Sequence, residues 1–314
     1  MTKLRTLTFT LSTMLFTLLL ACNLHAQPVT LSAICDDCVV ERFANCGGFL
    51  EGATFDRNGR LWVVDLLSGN ILSVSDTGQC TVEANTGGQP NGAKHHRDGR
   101  LFIADKAKGI LAFDPETKTL DTIVNMYRAE LIRGFNDLVF DDNGGFYFTE
   151  PYGSGTLNPV GRVFYMPPDG NNATLQVVAD TLAFPNGIAL SPNGNNLYIG
   201  EYARKRIISM PSLASRDVFD TSYVKANTEG GIGPDGMAVD EVGNIYQAIF
   251  QGGQVSVFSP AGYEIGKIWL PAGAGAATTN VAFDGNWLYI TESSEGVIWR
   301  VRTNHAGLKL YHQR

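Results

Sequence analysis

Six short stretches of the chain each begin with a side chain that could offer an oxygen atom to a hard cation. "EGATFDRNGRLWVVD" starts at Glu51, "NGAKHHRDGRLFIAD" at Asn91 and "NDLVFDDNGGFYFTE" at Asn136. "NGIALSPNGNNLYIGE" starts at Asn186, "DGMAVDEVGNIYQAI" at Asp235 and "NVAFDGNWLYITE" at Asn280. Oxygen donors without cysteine or histidine suit Ca²⁺ ahead of Mg²⁺ or Mn²⁺, with Zn²⁺ behind all three. Glu51 and Asp235 would balance a divalent charge, and the carboxamides fill further positions without adding to it. Buried acids left without a counter-charge are unfavourable, so a bound ion accounts for them. The rival reading is turn chemistry, because Asn-Gly and Asp-Gly pairs also form tight turns.

The elements that must carry these residues repeat with them. Each stretch reads as a polar residue, a short apolar strand, a turn rich in Gly, Asp or Asn, and a second strand. Successive starts differ by 40, 45, 50, 49 and 45 residues. A β-rich period of this size marks propeller blades. Further strands follow, such as "GILAFDP" from Gly109, "GRVFYMP" from Gly161, "RIISMP" from Arg206, "QVSVFSP" from Gln254 and "VIWRVR" from Val297. Helical periodicity is nearly absent.

The expected fold is therefore all-β, a six-bladed β-propeller. The chain runs out soon after "VIWRVR", so the last blade lacks an outer strand. "CVVERFAN" (Cys38 to Asn45) is expected to supply that strand and close the ring, which removes exposed strand edges. The innermost strand of each blade would line a central channel, with the six polar starts converging at one end.

Residues 1–26 read as an export signal, with Lys3 and Arg5 ahead of the apolar run "LTFTLSTMLFTLLLA". That run is too short for a good membrane span, and no second segment could cross a bilayer. Two processing sites compete. "LLAC" ending at Cys22 resembles a lipobox and would leave a lipid anchor, whereas "LHA" ending at Ala26 suits ordinary signal peptidase. Residues 27–314 then form the propeller domain, and the protein is expected to be exported: periplasmic or secreted, or a lipoprotein if cleaved before Cys22. Cys35, Cys38, Cys46 and Cys80 remain, an even set that favours two disulfides in an oxidising compartment, with the pairing open. A zinc site on Cys35 and Cys38 is the lesser alternative. A net charge of −7 argues against nucleic acid or anionic lipid as partner.

"EGATFD", "FNDLVFDDNGGFYFTEPYGSG", "FPNGIALSPNGNNLYIGE" and "GPDGMAVDEVGNIYQA" together resemble the regucalcin and gluconolactonase family of six-bladed propellers. The resemblance spans roughly Val39 to Arg302. It implies one divalent cation, commonly Ca²⁺, held by Glu51, Asn136, Asn186 and Asp235. It leaves Asn91 and Asn280 beside the metal or on the substrate side, and implies hydrolysis of a lactone, with relatives acting on phosphotriesters. Lactone opening needs a polarised carbonyl, a nucleophilic water and a proton acceptor. Asp235 is the candidate general base; in the phosphotriesterase relatives the matching Asp is argued to be the nucleophile, and the sequence does not choose.

Some members place an Arg two residues before the FND Asn. Here that position is Gly134, and Arg133 stands one residue further back as a substrate-binding candidate. Tyr152, after the second strand of the same blade, is a candidate wall of the pocket. His95 and His96 suggest a catalytic dyad, but His95 aligns with Phe55, Phe140 and Val239 and so is expected to pack between blades. "GAGAA" from Gly273 lacks the βαβ setting of a dinucleotide loop, and no Gly-x-Ser-x-Gly elbow occurs. The function expected is a divalent-metal-dependent lactonase. The alternatives are a non-catalytic ligand-binding propeller with a structural Ca²⁺, or a phosphotriesterase-like hydrolase.

Overall fold

The computed structural model describes residues 33–215 and 221–314. The export segment, both cleavage sites and Cys22 lie outside them. The described residues form six four-stranded antiparallel sheets and one short hairpin, Met126–Tyr127 with Glu130–Leu131. Five sheets are contiguous blades at 50–85, 90–124, 138–182, 185–227 and 233–269. The sixth takes Thr278–Asp284, Trp287–Glu292 and Val297–Arg302 from the end of the chain and Val40–Asn45 from its beginning. Val40 lies opposite Val301 and Asn45 opposite Val297, so the N-terminal segment closes the ring as the sequence predicts.

Disulfides secure this joint. Cys46–Cys80 ties the end of the closing strand to the outer strand of the first blade, and Cys35–Cys38 closes a short loop ahead of it. Both candidate zinc thiols are consumed by the second bond. Cys46 and Cys80 are 34 residues apart, and a loop of that length stabilises the fold by about 3–4 kcal/mol in the chain-entropy account. The double variant Cys46→Ser/Cys80→Ser is therefore expected to melt roughly 5–10 °C lower by calorimetry. An unchanged melting temperature would mean that strand pairing alone closes the ring.

The core lies in the seams between blades, which explains why the inner three strands of each blade read as nearly unbroken apolar runs. In the seam between the second and third blades, Phe102 meets Phe140 edge-on at 5.1 Å, and Phe148 stacks on Phe164 at 5.1 Å. Each such buried ring contributes about 1.5–3 kcal/mol. His95 is used in the same way. It is buried edge-on to Trp62 at 5.8 Å, and burial pushes its pKa down to about 3. It is thus neutral and packs between blades, as its alignment with apolar residues suggests.

The hairpin turns follow a repeated local rule. Asp56 Oδ1 accepts from the amides of Asn58 and Arg60, and Asp141 and Asp240 do the same in their own blades. The C-terminal tail then crosses the end of the channel at which these turns lie. Leu308 N donates to Val239 O, Arg57 Nε donates to His312 O, and Arg314 pairs with Asp142. Between this tail and the strand starts lies a cavity of about 320 Å³, walled by Ala53, Val139, Ile188, Met237 and Val281.

Candidate metal centre and active site

Five of the six inner strands carry one extra residue where the polar side chain stands. Pro185 faces Glu201 while Ile188 faces Ile199, so three steps on the inner strand match two on its partner. The same slip follows Glu51, Pro90, Pro234 and Thr278. Such a bulge turns a strand locally and re-aims its side chain. The glycine after the polar residue belongs to this device. A Cβ on Gly187 would stand 2.3 Å from the Asp235 carbonyl oxygen, and one on Gly52 would stand 2.3 Å from that of Asn91. Asn186-Gly187 and Glu51-Gly52 are therefore points where neighbouring inner strands press together, which only glycine permits. They are not hairpin turns, and the turn-chemistry reading fails for them.

A second set of residues, at the far ends of the second strands, holds the ring in place. Asp65 accepts from Phe49 N at 3.0 Å and Asp105 from Gln89 N at 3.0 Å, each two residues before a ring member. Glu201 accepts from Ala183 N at 2.7 Å and Glu292 from Ala277 N at 3.0 Å. In the fifth blade Gln247 does this work, with Nε2 donating to the carbonyls of Asp235 and Gly236. Thr149 links two members, because its carbonyl accepts from Asn136 N at 3.0 Å and its hydroxyl donates to Asn186 O at 2.8 Å. These acids and hydroxyls bond to main-chain groups. They fix the backbone from which the ring projects.

Glu51, Asn91, Asn136, Asn186, Asp235 and Asn280 are all buried at one end of the channel. The amide of Asn280 favours the charged form of Glu51, and that of Asn186 favours the charged form of Asp235. Burial, then the charge of Asp137, pushes the Glu51 pKa up to about 8. Asp235 is raised well above the usual carboxylate range, by burial first and then by Glu51. Glu51 Oε2 and Asn136 Oδ1 are buried without any hydrogen-bond partner. Two facing carboxylates and two unused oxygens, with no base paired to either acid among the described residues, fit a hard divalent cation.

Other residues reach the ring that their sequence context does not reveal. Asp137, adjacent to Asn136, is buried and accepts from Leu138 N at 2.8 Å, with Lys94 Nζ 3.8 Å away on the cavity side. Its charge acts on both Glu51 and Asp235, as does that of Lys106 from the rim. Arg133 and Tyr152 stand together on that rim, the guanidinium 6.0 Å from the ring centroid, beside a broad depression that also takes in Glu130, Glu150 and Arg162. Tyr202 and Phe250 add aromatic surface on the opposite side, 6.4 Å apart.

The fold and this ring define a class: six-bladed propellers with an oxygen-lined centre at the starts of their inner strands. Residues 49–295 match the family described as the SMP-30/gluconolactonase/LRE-like region. The chain belongs to that family. It is 34% identical over 235 residues to a protein named lactonase drp35 from Staphylococcus aureus, an alignment covering 71% of this chain and 70% of the relative. Among solved structures, a gluconolactonase from Xanthomonas campestris superposes with a TM-score of 0.75 at 24% identity, covering 87% of this chain and 92% of the other. A calcium-binding regucalcin from Agrobacterium tumefaciens gives 0.73 at 20% identity, covering 87% and 97%.

Proposed function

We propose that this protein is a divalent-cation-dependent lactonase whose centre is the ring at the channel mouth. Its family membership and its relatedness to a protein named as a lactonase support hydrolysis of a lactone. One observation carries the metal dependence: Glu51 and Asp235 are buried against each other, while Glu51 Oε2 and Asn136 Oδ1 lack partners. Glu51, Asn136, Asn186 and Asp235 would hold the ion, with Ca²⁺ preferred for an all-oxygen set. When bound, it supplies Lewis acidity to the lactone carbonyl.

The chain's own residues supply the rest. Asn186 favours the charged form of the Asp235 carboxylate, and Gln247 fixes its backbone. Asp235 accepts a proton from the attacking water and returns it to the ring oxygen as the acyl C–O bond breaks. Asn91, Arg133 and Tyr152 would meet the substrate from the ring and the rim. The N-terminal segment would direct the chain out of the cytoplasm, which suits its two disulfides.

Hydrolysis of a panel including δ-gluconolactone and γ-butyrolactone, followed with a pH indicator, tests this reading. Activity is expected to fall to background after exhaustive chelation and to return with Ca²⁺. Turnover that survives complete metal removal would overturn the mechanism. A purified protein that binds Ca²⁺ yet opens no lactone would point to the ligand-binding alternative.

A further inference from the structure

Lys106 follows the second strand of the second blade, Leu101–Asp105, at the rim above the ring. Its backbone is clamped on both sides. Lys106 N donates to Gln89 O at 2.9 Å, and its carbonyl accepts from Gly134 N at 2.8 Å. Gln89 and Gly134 each lie two residues before a ring member, Asn91 and Asn136, so Lys106 is held against two neighbouring starts of the ring. The side chain is half-buried, yet among the described residues its ammonium forms no ion pair and no hydrogen bond. Lys94, by contrast, lies below the ring beside Asp137 and donates to Ala93 O at 3.1 Å. The charge of Lys106 is also felt by both Glu51 and Asp235.

Once a divalent ion neutralises those two acids, Lys106 is left facing the mouth with no anion of its own. Opening a neutral lactone creates such an anion. Water adds to the carbonyl carbon, the ring C–O bond breaks, and one water proton passes through Asp235 to the ring oxygen. The new carboxylic acid releases its remaining proton to solvent and stays as a carboxylate. We propose that Lys106 is the substrate-side cation that receives this developing negative charge and then holds the hydroxy-carboxylate product, keeping its own proton throughout. The proposal rests on the lactonase reading given above. It also places the cationic contact on the second blade, whereas the sequence pointed to Arg133.

The test uses the full chain loaded with Ca²⁺, with γ-butyrolactone as substrate and 4-hydroxybutyrate as product. Lys106→Met is expected to lower kcat/KM about 10- to 100-fold, the worth of one hydrogen bond to a charged group. Inhibition by 4-hydroxybutyrate should weaken by a similar factor. Ca²⁺ affinity, measured by calorimetry, should stay equal or tighten because a repelling cation has gone, and Lys106→Arg should recover most of both losses. Unchanged product inhibition in Lys106→Met would overturn the proposal. So would a Lys106→Arg protein as impaired as Lys106→Met, which would indicate proton transfer by the amine, or a loss of Ca²⁺ affinity, which would indicate a collapsed loop. A wild-type protein that opens no lactone defeats the lactonase reading alone. Calorimetric titration of 4-hydroxybutyrate into wild type and Lys106→Met still reads Lys106 in that case.

Discussion

Asp235→Asn is expected to lower kcat on a lactone by about 10²- to 10⁴-fold at saturating Ca²⁺, the usual contribution of a positioned general base. Asparagine keeps the size of the side chain and one oxygen for the cation, so the loss isolates the charge and the proton acceptor. The backbone should not move, because Gln247 Nε2 holds the carbonyls of residues 235 and 236 rather than the side chain. A second readout has the opposite sign. In the metal-free protein at pH 9 Asp235 must ionise in a buried site beside Glu51, and at that pH the variant removes the penalty. Asp235→Asn should therefore melt higher than wild type in chelator at pH 9 while losing activity in Ca²⁺, a trade of stability for function. Full turnover in the variant would remove Asp235 from the role of base and leave the fold untouched.

The blades were legible because a hairpin punctuated by Asp, Asn and Gly, recurring at 40 to 50 residues, has few other physical explanations. The closing strand was legible from arithmetic, since the last repeat lacked an outer strand and one apolar segment before Glu51 was unassigned. The ring residues stood out only by their shared position in the repeat. The glycines beside them were ambiguous. Gly187 after Asn186 has the spelling of a turn, and only the approach of the Asp235 carbonyl marks it as a bulge. The supports were hidden for a different reason. Asp65, Asp105, Glu201 and Glu292 end strands, where an acid normally reads as a solvated residue, and their partners lie 15 to 18 residues away on loops. Lys106 was hidden most deeply. A lysine in a turn is ordinary, and its place above the ring comes from hydrogen bonds to two other loops. The tail that closes the far end of the channel has no periodic pattern, and its burial depends on surfaces contributed by several blades.

Metal-free protein should lose stability as pH rises from 7 to 9, and saturating Ca²⁺ should abolish that loss. The sign follows from Glu51, whose folded pKa of about 8 lies above its ordinary 4.5. Below 4.5 the group is protonated in both states and its advantage is fully present. As pH rises through 8 the folded protein must release the proton into a buried site beside Asp137 and Asp235, and the advantage disappears. Between pH 7 and 9 Glu51 alone accounts for on the order of 1 kcal/mol, and Asp235, raised in the same direction, adds to it. The window is chosen to avoid two buried histidines. His95 and His312 have folded pKa values depressed to about 3 and about 4, so their contribution is present above 6.5 and is lost on acidification. Their slope thus runs the other way below neutrality. A divalent cation reverses the penalty by binding the ionised pair, and at a thousandfold excess over Kd it adds about 4 kcal/mol to the folded state. Glu51→Gln separates the two effects. In chelator its urea midpoint should vary less between pH 7 and 9 and exceed that of wild type at pH 9, while in Ca²⁺ the cation-induced gain should largely vanish because one of two charged ligands is gone. A wild-type midpoint that ignores Ca²⁺ across this range would mean that the two acids are not the ion's ligands, and the metal centre would have to be sought elsewhere.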